Sequence, residues 1–218
     1  MRTRIKVCCI QSVEEARLAV DAGADAIGLV SAMPSGPGPI PDARIAEIAR
    51  EVPPGVATFL LTCRTDPAGL VEQVREAAVS TVQLVDRVGA AAHAALAAAL
   101  PWVRRVQVVH VTGEESVADA LAAGPGVHAV LLDSGDPKAA VRVLGGTGRT
   151  HDWGLSRRIR DALPVPLWLA GGLTAENVGE AIARVRPFGV DVCSGLRVDG
   201  RLEPDRLSRF VDAVRAAS

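Results

Sequence analysis

The chain has 218 residues, 49% of them hydrophobic and only 3% aromatic, enough for one sizeable core built from Val, Leu, Ile and Ala. Lys and Arg number 24 against 25 Asp and Glu, a formal net charge of −1, so no overall field calls for nucleic acid or an anionic membrane. Four cysteines without CxxC spacing exclude a disulfide framework, and with no apolar run of membrane-spanning length they predict reduced thiols in a cytoplasmic protein.

Short β-rich runs alternate with helical patterns from one end to the other. The predicted strands are Arg4–Ile10, Ala26–Ser31, Val56–Thr62, Thr81–Asp86, Arg105–Val111, Ala129–Ser134, Leu167–Ala170 and Val190–Cys193. Between them lie stretches with apolar residues at three- and four-residue spacing: Ser12–Ala22, Asp42–Glu51, Pro67–Ala77 and Ala175–Arg186, with Pro204–Ala217 after the last strand. Ser12 and Thr174 are good N-caps. Eight such units, with near-continuous apolar strands, predict parallel strands covered by helices, most simply a single-domain (β/α)8 TIM barrel spanning residues 1–218. The Gly36–Pro41 run, GPGPIP, is too short for a linker and reads as a rigid loop.

In a barrel of this kind the site lies on loops at the carboxyl ends of the strands, with phosphate often bound after strands seven and eight. Taken in chain order, the first strand end carries Lys6-Val7-Cys8-Cys9. Side chains alternate along a strand, so an inward Lys6 and Cys8 set Cys8 at the barrel rim and Cys9 outward against the helices. Lys6 is then a source of positive charge to lower the pKa of the Cys8 thiol. After strand six a glycine-rich arm, Leu144–Thr150, leads to His151-Asp152-Trp153. Asp152 fits two readings, a helix N-cap or a general acid whose pKa is raised beside Trp153, and the residues leave both open. Gly171 and Gly172 follow strand seven, and Ser194 and Gly195 follow strand eight; glycine backbone and a hydroxyl at these two loops form a phosphate signal. Cys63 and Cys193, near the ends of strands three and eight, read as packing residues, since no metal-ligand spacing joins them to Cys8.

With KVCCI, GADAIGLV, VQL, LLDS, GGTGRTHDW, LAGGLTAENV and RPFGVDVCSG in this order, nearly the whole chain resembles phosphoribosylanthranilate isomerase, the tryptophan-pathway barrel. The resemblance implies an Amadori rearrangement of an N-(5-phosphoribosyl) arylamine to a 1-amino-1-deoxyribulose 5-phosphate. It implies no metal and no organic cofactor, and a small phosphorylated sugar-amine as the partner rather than nucleic acid or membrane, in a monomer or homodimer. It implies Cys8 as the general base at sugar C2, Asp152 as the general acid at the ring oxygen, and Gly171, Gly172, Ser194 and Gly195 as phosphate contacts. Lys6, Gln83, Arg149 and Arg197 are further candidate substrate contacts.

The chain also departs from the family pattern. The loop after strand two, Met33–Ile40, lacks the arginine expected to hold the anthranilate carboxylate, leaving Arg149 or Arg197 to supply that charge. Strand four has Val85 where a histidine is expected, Arg197 replaces a glutamate, and Cys9 replaces a glycine. An isomerase acting on a different ribosylamine phosphate, and a non-catalytic phosphosugar binder, remain as alternatives. The histidine-pathway sugar isomerase fits less well, because strand one offers Cys8 where that family has an aspartate.

Overall fold

The structure is a computed structural model, described here for residues 2–135 and 150–218. Eight parallel strands close into a barrel in chain order: β1 (Arg4–Val7), β2 (Ala26–Val30), β3 (Ala57–Thr62), β4 (Thr81–Leu84), β5 (Arg104–His110), β6 (Ala129–Asp133), β7 (Leu167–Leu169) and β8 (Gly189–Val192). The seam is closed by β1 against β8, where Lys6 is in register with Asp191 and Val7 with Val192. Among the described residues eight helices surround the barrel: α1 (Val13–Ala22), α2 (Asp42–Glu51), α3 (Pro67–Ala77), α4 (Ala90–Ala99), α5 (Glu115–Ala123), α6 (Trp153–Ala162), α7 (Val178–Val185) and α8 (Pro204–Ala216). Among the described residues no helix is long and apolar enough to cross a membrane.

Strand alternation separates two apolar layers. Inside the barrel lie Phe59, Leu61, Val106, Val108, Leu131 and Trp168, while their strand neighbours Leu60, Val109, Val130, Leu132 and Leu169 pack outward against the helices. Phe59, Trp168 and Phe188 fill the lower interior in edge-to-face contacts, with centroids 5.9 and 5.5 Å apart. Above this plug the interior turns polar, with Lys6, Gln83 and Asp191 all buried.

Helix starts follow local chemistry. Ser12 accepts the Glu15 amide, and the Glu15 carboxylate accepts the Gln11 amide, the reciprocal pattern of a capping box shifted by one residue. Asp66 and Glu203 cap α3 and α8, each followed by Pro at the first helical position. Helix α7 begins at Val178, three residues later than its pattern predicts. The cause is Asn177, whose side chain accepts the Thr174 amide at 2.8 Å and donates to the Gly172 carbonyl at 2.9 Å. That pins the segment after β7 as a turn.

Candidate active site

A chamber opens at the carboxyl ends of the strands, and each strand, or the residue directly after it, contributes to its wall: Cys8, Val30, Leu61, Gln83, Val108, Asp133, Ala170 and Asp191. Met33, Ser35, Gly36 and Pro37 from the loop after β2 form one rim. Gly171, Gly172 and Ser194 form the opposite one.

Beneath the floor lies Lys6, fully buried, its Nζ 2.7 Å from Asp191 Oδ2 and 3.4 Å from Cys8 Sγ. Burial opposes the ammonium charge, but Asp191 and Cys8 together outweigh it and hold the Lys6 pKa above its ordinary value. The Cys8 thiol is pushed up to about 11, first by burial and then by the Asp191 carboxylate, with Lys6 pulling the other way. Cys8 is therefore a thiol at neutral pH, beside a cation positioned to stabilise its thiolate.

Asp133 closes the polar set. Burial, aided by the charge on Asp191, lifts its carboxyl to about 6, although the Ser134 amide donates to its Oδ1 at 2.7 Å. Gln83 Oε1 and Asp191 Oδ1 are buried without hydrogen-bond partners among the described residues, acceptors left for a polar ligand to satisfy.

The sequence expectations meet this geometry unevenly. Cys8, Gln83, Gly171, Gly172 and Ser194 line the chamber, and Gly195 lies in an adjoining cavity shared with Ser194 and Gly172. Lys6 acts from below the wall. Asp152 is not brought to the chamber: it is exposed, starts α6 as its N-cap, and accepts the Gly154 amide at 2.7 Å. Next to it, His151 is held neutral by burial, which lowers its pKa to about 4, and bonds Ser156 Oγ through Nε2. Arg197 is committed elsewhere. Its guanidinium grips Glu15 at 3.0 Å through two nitrogens and donates to the carbonyls of Gly200 and Cys9, buttressing the start of α1 rather than facing a ligand. Arg149 lies outside the described residues.

Asp133 was missed from sequence, yet the signal was present: alternation through Ala129, Leu131 and Asp133 puts it on the same inward face that identified Cys8.

The cysteines need a larger correction. Cys9 does not pack outward against the helices as a reduced thiol, and Cys193 is not a simple packing residue; the two form a disulfide, with Cα atoms 6.0 Å apart. Strand β1 ends at Val7, so alternation no longer governs Cys9, whose left-handed backbone (φ 62°) swings its side chain over the barrel top. Cys8 still bonds Val192 across the seam, at 2.8 Å from N to O, which brings the end of β8 within reach. Gly38, itself at φ +83°, lies against Cys9, where an added Cβ would come within 2.6 Å of the Cys9 Cβ. Cys63 is free and half-buried.

A family model described as N-(5'-phosphoribosyl)anthranilate (PRA) isomerase matches residues 5–213. N-(5'-phosphoribosyl)anthranilate isomerase 2 of Methanosarcina mazei is 39% identical over 195 residues, covering 89% of this chain and 85% of that one. The isomerase of Methanocella arvoryzae is 35% identical over 98% of both chains. Among solved structures, the phosphoribosyl anthranilate isomerase of Thermotoga maritima superposes with a TM-score of 0.82 at 29% identity, covering 98% of this chain and 99% of that one. An isomerase in complex with reduced 1-(o-carboxyphenylamino)-1-deoxyribulose 5-phosphate gives 0.79 at 28% identity, over 98% and 99%.

Proposed function

The chain belongs to the N-(5'-phosphoribosyl)anthranilate isomerase family, and from that premise we propose that it isomerises phosphoribosylanthranilate with Asp133 as general acid and Cys8 as general base. The observation that carries the assignment is the placement of both groups on the wall of one chamber whose rim carries Gly171, Gly172 and Ser194.

Asp133, with a pKa near 6, retains a proton to give at mildly acidic to neutral pH. It protonates the furanose ring oxygen as the C1–O bond breaks, leaving an iminium between C1 and the amine nitrogen. Cys8 then removes the proton from C2, and the electron pair of that C–H bond moves to C1–C2, neutralising the iminium as an enolamine. Ketonisation follows, C1 gaining a proton while the C2 hydroxyl loses one, so substrate and product are isomers. A resting thiol with a pKa of about 11 is a poor base alone. Lys6 and the iminium cation itself both favour its thiolate, so base strength develops with ring opening. Gly171, Gly172, Ser194 and Gly195 hold the phosphate, and binding at that remote group keeps the reacting carbons aligned between acid and base.

The test is the loss of phosphoribosylanthranilate fluorescence on adding purified protein. Turnover by the wild type, lost by at least a hundredfold in Cys8→Ser, is expected; a folded wild type that leaves the substrate untouched contradicts the proposal. A second reading, an isomerase for an amine without a carboxylate, draws on one fact: among the described residues no Lys or Arg lines the chamber. The phosphoribosyl derivative of aniline, in the same assay, separates the two.

A further inference from the structure

We propose that Arg206 and Arg209, on the outer helix α8, form a cationic wall for the substrate phosphate and set its affinity together with the glycine loops. The proposal rests on the isomerase reading and deepens it.

Beside the chamber lies a second cavity, between the segment after β7, the 3-10 turn Ser194–Leu196 and the first turns of α8. Gly172, Thr174, Ser194 and Gly195 are on its walls, and so are Arg206 and Arg209. The two arginines are three residues apart on α8 and therefore share a face of that helix. The loops on the other side are drawn close together: a Cβ on Gly195 would collide with the Leu173 carbonyl oxygen, so backbone alone is admitted there.

Backbone donors in this cradle are partly spent. The Thr174 amide already gives its hydrogen to Asn177. The cavity also contains Glu176, whose carboxyl is held below its ordinary pKa by the Thr174 side chain and its own amide, then by Arg209 and Arg206. An ionised carboxylate repels a phosphate dianion. Two guanidinium groups against one carboxylate reverse the sign of the cavity. Each keeps donors for a ligand, because Arg206 uses Nη1 on the Arg197 carbonyl at 3.0 Å and Arg209 uses Nε on the Asp205 carbonyl at 3.4 Å, out of five N–H donors apiece. The fork geometry of guanidinium suits phosphate oxygens.

The experiment uses inorganic phosphate as the probe, by calorimetric titration of the whole protein and as a competitive inhibitor of turnover. In the double variant Arg206→Gln, Arg209→Gln, phosphate affinity is expected to fall roughly tenfold or more, with KM rising more than kcat falls and the salt dependence of KM flattened. Arg206→Lys with Arg209→Lys restores most of the loss. Unchanged phosphate affinity in a folded double-Gln variant overturns the proposal. So does full recovery on adding Glu176→Gln to that background, which would show that the arginines only neutralise Glu176. The titration needs no turnover, so a wild type that binds phosphate but does not isomerise would count against the isomerase reading alone.

Discussion

Asp133 and Asp191 point into the same barrel, but among the described residues only Asp191 has a cation in direct contact, Lys6 at 2.7 Å. Burial and the field of Asp191 raise the Asp133 pKa, and the Ser134 amide, the Lys6 charge and the Ser134 hydroxyl offset them only in part. Its folded pKa of about 6 stands above the ordinary 3.8, so the folded state binds more protons than the unfolded state between those values. Stability is therefore lost as pH rises from 3.8 through 6, and the full penalty remains at neutral pH. At about 1.4 kcal/mol per tenfold change in proton affinity it is on the order of 3 kcal/mol. Asp133→Asn is expected to melt higher than the wild type at pH 7.5, with the difference vanishing near pH 4. Thermal unfolding at the two pH values reads this directly; an equal gain at both, or none at either, removes the linkage. A group that weakens the fold in the state it must pass through for chemistry is what a working acid looks like.

At the scale of elements, the end of β1 shows both the reach and the limit of strand alternation. It placed Cys8 inward correctly, because the strand continues regularly to Val7 and Cys8 still bonds across to β8. It failed for Cys9 one residue later, where a left-handed backbone replaces the strand. The glycine that Cys9 replaces hinted at a positive φ here, whereas the partner Cys193, distant by 184 residues in sequence, left no local sign. Asp152 differs again: of its two legible readings the structure shows the N-cap, with its carboxylate accepting the Gly154 amide away from the chamber. Arg197 looked available because Glu15, its partner, is 182 residues away in sequence. The Cys9–Cys193 bridge ties the first strand to the last and so closes nearly the whole chain into one loop. Reducing it, or substituting Cys193→Ser, is expected to lower stability by roughly 2–4 kcal/mol in denaturant unfolding. An unfolding midpoint unmoved by reductant would show that the bridge adds nothing to the closed seam.

Across the whole molecule, the fold was legible because eight repeats of one pattern each report the same two-layer environment, apolar inside the barrel and apolar under the helices. The two glycine loops at the chamber rim were legible for the same reason, their place being fixed by strand number. Alternation along β6 also carries Asp133 inward; what the repeat does not encode is the fate of Asp152, which lies beyond the strands and is held at the start of α6 by its capping bond. The account therefore turns on Asp133 rather than Asp152. Its most direct test is single-turnover consumption of phosphoribosylanthranilate by Asp133→Asn and Asp152→Asn side by side. The structure predicts a loss of at least a hundredfold for Asp133→Asn and near-wild-type chemistry, with some loss of stability, for Asp152→Asn. The reverse ranking would contradict it, and would return the acid to the start of α6.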